Sequence, residues 1–425
     1  MLYTARGGVK DNIPAEDLAR EIGEALTRLG ERRRVLVVPP DFTRFHSRSG
    51  EITQLVHRHY GSALEKVLIA SGTHRPMTDD EIRTMFGDVP RRLFVDHDFR
   101  KDVATLGVIE SSFIKEASEG ACDWPYPAQV NRLIAQGDYD LILSIGQVVP
   151  HEVTGMANYT KNLLVGTGGA EAINKSHFLG AVYGMERMMG RADTPVRRVL
   201  NEAARRYLNN KPIVYILTVM GCDECGRSAM KGLFIGNDDE CFLRAASLSV
   251  EVNFQQLDRP LDKAVVRLDP TEYKSAWLCN KAIYRTRMAM ADGGTLVILA
   301  PGMKEFGEDP EIDRLIRRYG YKGTPATLAA VRDNDDIRAN LSAAAHLIHG
   351  SSEGRFSIIY CPGNVSREDI EAAGYEFGEL ADMLEKYDPE KLKDGYNTLP
   401  DGEEIYYISQ PAQGLWAYKG CLTDR

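Results

Sequence analysis

The sequence predicts an α/β protein of two domains, a larger N-terminal parallel-sheet domain and a smaller C-terminal α/β domain, with the active site where they meet. Three observations carry that expectation. Short apolar runs bounded by turn residues alternate with helical patterns. One stretch, around residues 254–272, breaks the alternation. Polar residues able to do chemistry follow the ends of successive runs, where open α/β sheets bind ligands. At 425 residues the chain also exceeds the size at which a single core stops growing.

The runs of the first domain are VLVVPP (35–40), VLIASG (67–72), LFVDHD (93–98), LILSIG (141–146) and IVYILTV (213–219). Continuous apolar runs of this length suit strands buried on both faces of a parallel sheet. Between them, DLAREIGEALTRL places Leu18, Ile22, Leu26 and Leu29 on one helical stripe, and Thr78 with Glu81 has capping-box spacing. Around residues 254–272, in QQLDRPLDKAVVRLDPTE, the pattern loosens, so the domains are read as 1–268 and 269–425. The second begins with EYKSAWLCNKAIYRTRMAMADGG, which reads as one long helix closed by glycines at its C-cap. TLVILAPG, FSIIYCPG and EEIYYISQ follow as strands.

Composition narrows the function classes. With 43% hydrophobic and 27% charged residues the chain can pack an interior and lacks the signature of disorder. A net charge of −9 disfavours a nucleic-acid partner, which needs a basic face. The polar N-terminus has no signal-like apolar core and no run approaches bilayer length, so no membrane partner and a cytoplasmic location are expected. Seven cysteines without regular spacing point to reduced thiols. Cys222 and Cys225 in GCDECGR lack a second pair or a histidine to complete a zinc site.

The residues after the strands are the informative ones. VLVVPP is followed by Asp41, Phe42, Thr43 and Arg44; VLIASG by THRPMT with His74 and Arg75; LILSIGQVVP by His151, opening HEVTGMANYTK. Singly each has a plain structural use: Asp41 as a helix cap, Arg44 and Arg75 in surface ion pairs, a lone histidine as a hydrogen-bonded loop residue. Together they put a carboxylate, two arginines and two histidines on one rim. After Lys161 comes LLVGTGGAEAINKSHF, with Gly166, Gly168 and Gly169 before a helix that carries His177. A glycine-rich turn opening a helix can cradle phosphate through its N–H groups, but this one matches neither the Walker nor the dinucleotide fingerprint. His57, His59, His346 and His349 lie on helical stretches and are read as ordinary helix residues.

His151, Lys161 and His177, at spacings of ten and sixteen and preceded by DFTR and GTHRPMT, resemble the lactate racemase family over residues 36–300. That family consists of nickel-pincer nucleotide-dependent racemases and epimerases of 2-hydroxy acids. The resemblance implies an isomerase whose cofactors are nickel and a pyridinium-3,5-bisthiocarboxylic acid mononucleotide. Lys161 would be its covalent anchor and His177 the nickel ligand. His74 and His151 would be the acid/base pair, with Asp41, Thr43, Arg44, Gly166 and Gly168 around the cofactor. Arg44, Arg75, Lys281 and Trp277 would meet the substrate, and separate cofactor-synthesis proteins would be partners. Trp277 would stand one turn before Lys281 on the same helix face.

The chemistry is coherent. Removing the α-proton of a 2-hydroxy acid would set carbanion charge beside a carboxylate, whereas hydride transfer to an electron-poor ring avoids it. Imidazole suits the hydroxyl proton at neutral pH, and a soft sulfur and carbon donor set suits nickel with one neutral imidazole. Two departures fall near the substrate: the loop reads EVTGMANYT where the family is richer in glycine, and Leu278 stands where a glutamine is expected. The alternatives are a sugar-acid 2-epimerase with the same cofactor, a zinc hydrolase using His74, His151 and His177, and a non-catalytic ligand-binding homologue.

Overall fold

The computed structural model describes residues 1–224 and 226–422. Cys225, and with it any pairing to Cys222, lies outside them. The chain divides into two compact units. Unit 1 holds Met1–Tyr183 and Arg187–Asn253; unit 2 holds Gly184–Glu186 and the chain from Phe254 onward. The division thus falls at the start of the loosened stretch rather than at residue 268.

Unit 1 is built on seven strands: β1 (Leu2–Gly7), β2 (Val35–Val38), β3 (Leu64–Leu68), β4 (Phe94–Val95), β5 (Leu141–Gln147), β6 (Ile213–Cys222) and β7 (Ser228–Gly236). Their order across the sheet is β1-β7-β6-β5-β2-β3-β4. The five strands from β6 to β4 run parallel, and β7 and β1 close one side as antiparallel additions. These five are the five apolar runs expected from the sequence.

Both faces of the sheet are covered. Val35 and Val37 share a core with α1 (Ala15–Leu29), α2 (Ser49–Tyr60) and α3 (Asp79–Phe86). Leu36 and Val38 point the other way, into a core with α4 (Thr160–Leu164), α5 (Ala170–Tyr183) and α6 (Pro195–Tyr207). Alternation with period two in β2 therefore feeds two cores, which is why the run carries no polar residue. Leu18, Ile22, Leu26 and Leu29 are buried along α1, and Thr78 with Glu81 forms a reciprocal capping box at α3.

The topology fixes where a ligand can sit. From β2 the chain builds outward through β3 and β4, then crosses to the other side of β2 to lay down β5 and β6. The crevice beyond the carboxyl ends of β2 and β5 is thus a topological switch point.

Unit 2 has its own sheet of β8 (Leu261–Arg267), β9 (Met290–Ala300), β10 (Ser357–Pro362), β11 (Glu376–Phe377), β12 (Gly395–Thr398) and β13 (Glu404–Ile408), in the order β11-β10-β9-β8-β13-β12. Only β12 and β13 pair antiparallel. Val265, Val297, Leu299, Ile405 and Tyr407 pack on one face.

The long helix expected at the start of the second domain is not formed. Two short helices, Ala276–Cys279 and Lys281–Thr286, replace it, and β9 begins at Met290. Ser275 caps the first helix through its side chain, and Asn280 ends it with ψ −5. The buried Asn280 amide is held by Tyr360, whose hydroxyl donates to it at 2.8 Å, and donates to Tyr375 at 3.0 Å. Met290 pairs with Leu261 in the sheet, so Gly293 (φ 78) and Gly294 lie in the irregular stretch of β9 between Met290 and Thr295 and cap no helix. Trp277 and Lys281 consequently stand on separate helices. Among the described residues, no helix is long and apolar enough to cross a membrane.

Candidate functional site

Asp41 follows β2 and has two duties. Its Oδ1 caps the 3-10 helix Phe42–Ser47, accepting from the Thr43 backbone N–H at 3.1 Å and the Thr43 hydroxyl at 2.6 Å. Its Oδ2 lies 2.6 Å from Nδ1 of His74, which follows β3. Burial opposes ionisation of this carboxyl, but the His74 ring, the Thr43 hydroxyl and the Arg44 charge outweigh it and hold Asp41 at about 2. Thr43 thus serves Asp41. Arg44 donates to the Thr43 carbonyl, and its charge reaches Asp41, His151 and Lys161. Arg75 is exposed.

His151 ends a two-residue bridge in which Pro150 and His151 pair with Met156 and Gly155. The ring is buried, and its Nδ1 accepts the Val153 backbone N–H at 3.1 Å. Burial above all pushes its pKa well below the ordinary histidine value; the Glu152 carboxylate, next in size, opposes this, and the charges of Lys161, Arg44 and His177 add to the lowering. The glycine of HEVTGMANYTK is needed for space: at Gly155, with φ +77, a Cβ would lie 2.2 Å from the Arg191 carbonyl.

Lys161 sits on α4 directly over the switch point. Its neighbour Asn162 is buried, and its amide donates to the Val38 carbonyl at the end of β2 and to Ser144 Oγ in β5, both at 3.0 Å. One side chain therefore ties the helix to both strands flanking the crevice. The loop into α4 carries two consecutive left-handed residues, Asn158 (φ 65) and Tyr159 (φ 59), a costly pair outside glycine. Arg197 on α6, only 2% exposed, holds it from below. Its guanidinium donates to the carbonyls of Met156 (2.6 Å) and Asn158 (3.1 Å) and to the Thr160 hydroxyl (2.9 Å). Burial, reinforced by Arg44, pulls the Lys161 amine down to about 8, with Glu152 and Asp41 opposing. Asn162 and Arg197 were not singled out from the sequence, because nothing local to either residue reveals its partners.

His177 projects from α5 with Nδ1 donating to the Ile173 carbonyl at 2.7 Å. That bond fixes the proton on Nδ1 and leaves the Nε2 lone pair available. Burial, with help from the Lys161 charge, lowers its pKa to about 4, so the ring is neutral above that. Among the described residues, no group of three or more His, Cys, Asp or Glu side chains is arranged to hold a metal ion by itself. A metal at His177 would therefore draw its other donors from a non-protein group, and a neutral imidazole beside a half-buried amine of low pKa fits such a group.

Gly166 and Gly168 play a different part from the expected phosphate cradle. Their N–H groups donate to the carbonyls of Lys161 and Val165, and a Cβ at either would strike backbone at 2.5 or 2.2 Å. The Gly166 carbonyl in turn accepts the Gly72 N–H at 2.9 Å, joining the loop of His74 to the end of α4. They give room for a tight turn between α4 and α5.

These residues fall in a segment with relatives. Residues 15–189 match the lactate racemase N-terminal domain. Over this segment the chain is similar to the lactate racemase family. A lactate racemase of Thermoanaerobacterium thermosaccharolyticum is 24% identical over 322 residues, covering 71% of this chain and 69% of that one. A crystal structure of a Thermotoga maritima protein aligns with TM-score 0.81 and 26% identity over 97% of this chain and 100% of the other. The lactate racemase apoprotein from Thermoanaerobacterium thermosaccharolyticum aligns with TM-score 0.70 over 97% and 95%, and at 17% identity that likeness is one of fold.

Lys281 and Trp277 lie in unit 2. Lys281 is largely buried, with its amine 3.9 Å from Glu272 and over the Tyr273 ring at 5.4 Å. Trp277 stacks on His346 with ring centroids 4.3 Å apart, and its carbonyl accepts from the Tyr284 hydroxyl. His346, read from the sequence as an ordinary helix residue, thus fixes the indole.

Proposed function

We propose that this chain is a member of the lactate racemase family that inverts C2 of a short, lactate-like 2-hydroxy acid by reversible removal of hydride and proton, using a nickel-pincer nucleotide attached at Lys161. When bound, such a nucleotide supplies an electron-poor carbon that accepts the C2 hydride and returns it. The chain's own residues account for everything else. Lys161, half-buried and titrating near 8, is an amine able to form a covalent bond at neutral pH. His177 offers a neutral Nε2 as the protein's ligand to the metal. His74 and His151 handle the hydroxyl proton, Asp41 orients His74, and Arg44 brings positive charge for the substrate carboxylate.

The observation that carries this reading is the convergence of Asp41, His74, His151, Lys161 and His177 in one electrostatic neighbourhood beyond the switch point. A zinc hydrolase built on three histidines has no such support, since His74, His151 and His177 do not form a metal-holding group among the described residues.

The test is to produce the chain together with cofactor-synthesis proteins, then measure intact mass, nickel content and interconversion of enantiomers across a panel of 2-hydroxy acids. A nucleotide-sized mass increment absent from Lys161→Ala, together with interconversion, is expected. An unmodified chain with no interconversion overturns the reading.

A further inference from the structure

His97 follows β4, the edge strand of the large sheet, and takes no part in the chemistry described so far. Its ring is 5% exposed and sits between two fixed partners. Nδ1 lies 3.0 Å from the amide nitrogen of Asn131, and Nε2 lies 2.9 Å from the Gly168 carbonyl oxygen.

Three hydrogen bonds in series place the ring proton. The Asn131 side chain caps the short helix Arg132–Gln136, its Oδ1 accepting the Leu133 backbone N–H at 2.9 Å. The amide nitrogen therefore faces His97, and an amide nitrogen only donates, so Nδ1 bears the lone pair. The Gly168 carbonyl only accepts, so Nε2 carries the proton. Turning the amide over would set its N–H groups against the Leu133 N–H, and the other ring tautomer would set a lone pair against the carbonyl. Burial lowers the pKa of the ring, with the Gly168 bond and the charges of Asp102 and Asp98 opposing.

Gly168 stands in the turn between α4 and α5, seven residues after Lys161 and nine before His177. Two further anchors at the start of α5 come from the same two segments as His97 and Asn131. The Phe99 carbonyl accepts the Ala170 N–H at 3.1 Å, and Gln129 Oε1 accepts the Ala172 N–H at 3.3 Å. Those two take up N–H groups that the first turn of a helix cannot pair internally. The His97 bond holds a carbonyl ahead of the helix. It therefore sets the plane of the Gly168–Gly169 peptide, and with it the direction in which α5 leaves the turn.

We propose that His97 is a positioning residue: through its Nε2 proton it fixes the Gly168 peptide and so the distance between the Lys161 amine and the His177 imidazole. The use made of that distance, an anchor and a metal ligand meeting one cofactor, rests on the function proposed above. Groups that must reach one bound molecule tolerate only about 0.5 Å of misplacement, so the turn that joins their helices has to be rigid.

Two substitutions separate the two ends of the ring. Asparagine at 97 sets an amide near the place of Nδ1, where it accepts from Asn131 but falls short of Gly168. Glutamine sets one near the place of Nε2, where it donates to the Gly168 carbonyl. In crystals of unloaded protein, His97→Asn is expected to turn the Gly168 peptide and shift the His177 ring by about 1 Å relative to Lys161, and His97→Gln to leave both in place. Nitrogen NMR of histidine-labelled wild type is expected to show His97 with a bare Nδ1 and a protonated Nε2. A bare Nε2, or a His97→Asn crystal with Gly168 and His177 where wild type has them, overturns the proposal whether or not the protein is a racemase. Should His97→Asn not fold, a His97→Gln crystal with the Gly168 peptide turned overturns it.

In cofactor-loaded protein, His97→Asn is expected to keep the mass increment at Lys161 and to release nickel about 10-fold faster than wild type, with His97→Gln close to wild type. Ile22→Ala, which opens a cavity under α1 on the other face of the sheet, is the control for lost stability. If it releases nickel as fast as His97→Asn, or if the two His97 variants behave alike, the proposal falls. If loaded wild type gains neither nucleotide mass nor nickel, the functional reading fails, and the crystals and the NMR decide the positioning claim by themselves.

Discussion

Oδ2 of Asp41 and Nδ1 of His74 lie 2.6 Å apart, although they come from loops after different strands of the parallel sheet. Asp41 also caps the short helix that follows it, so one buried carboxylate fixes both its own loop and the imidazole of the next. A helix cap and a catalytic orienter are often weighed as rival explanations for such an aspartate. Here the two oxygens divide the roles.

Asp41→Asn is expected to keep the fold near neutral pH and to reduce turnover of loaded enzyme by about 10²–10⁴-fold, because the amide no longer holds the His74 tautomer. The same change alters acid stability. Asp41 titrates at about 2 in the fold against 3.8 for an ordinary aspartate. Its contribution, on the order of 2 kcal/mol, is therefore present above pH 3.8 and lost as pH falls toward 2. Denaturant unfolding should show wild type and Asp41→Asn separated at pH 6 and converging toward pH 2. A constant gap would contradict this.

Lys161 has the opposite linkage. Its amine titrates near 8 in the fold and 10.5 when unfolded, so the buried cation weakens the apoprotein below pH 8 and the penalty disappears as pH rises from 8 to 10.5. Lys161→Met is expected to stabilise the apoprotein at pH 7 by on the order of 3 kcal/mol. The advantage should shrink toward pH 10.5. Urea unfolding at several pH values measures it, and a Lys161→Met protein less stable than wild type at pH 7 would count against a strained amine.

His177→Ala separates anchoring from metal binding. Removing the imidazole leaves Lys161 untouched, so the mass increment of loaded protein should persist while nickel is lost on gel filtration. In wild type, nickel retention should fall as pH drops through about 4, where the ring takes up a proton. Equal nickel content in both proteins, read by elemental analysis, would remove His177 from the metal site.

Much of this was legible before any coordinates. The central parallel strands of unit 1, β2 and β5, are buried on both faces and so read as unbroken apolar runs, and the rule that open sheets bind ligands at strand ends directed attention to Asp41, His74 and His151. The segment at 272–294 misled for the same physical reason. Its apolar residues are buried on several sides, so periodicity could not separate two short helices and a strand from one long helix, and only pairing of Met290 with Leu261 decides it. The glycines after Lys161 looked like a phosphate cradle because a tight turn with spent N–H groups and an open nest share one composition. Asn162 and Arg197 carried no signal, since their partners, three backbone carbonyls and two hydroxyls, lie far away in sequence.

Arg197 yields the last prediction. It is a fully buried guanidinium whose described hydrogen bonds go to the carbonyls of Met156 and Asn158 and the Thr160 hydroxyl, with its carbon 4.4 Å from the centre of the Phe242 ring. Burial lowers its pKa to about 10, which still leaves it charged at neutral pH. Arg197→Met keeps most of the volume but removes three buried hydrogen bonds beneath two left-handed residues; the Met156 carbonyl keeps the Thr154 hydroxyl and the Thr160 hydroxyl keeps Asn201, while the Asn158 carbonyl loses its guanidinium donor. A loss of about 3 kcal/mol is expected, since an unpaired buried group costs roughly 1–3 kcal/mol and each lost hydrogen bond about 1 kcal/mol. Arg197→Lys, a point charge that can reach only some of these acceptors, should lose less. If the clamp also sets the position of Lys161, Arg197→Met should slow acylation of that amine by a small reagent relative to Arg197→Lys, read by peptide mass mapping under conditions where both variants are folded. Equal labelling in the two would confine Arg197 to stability.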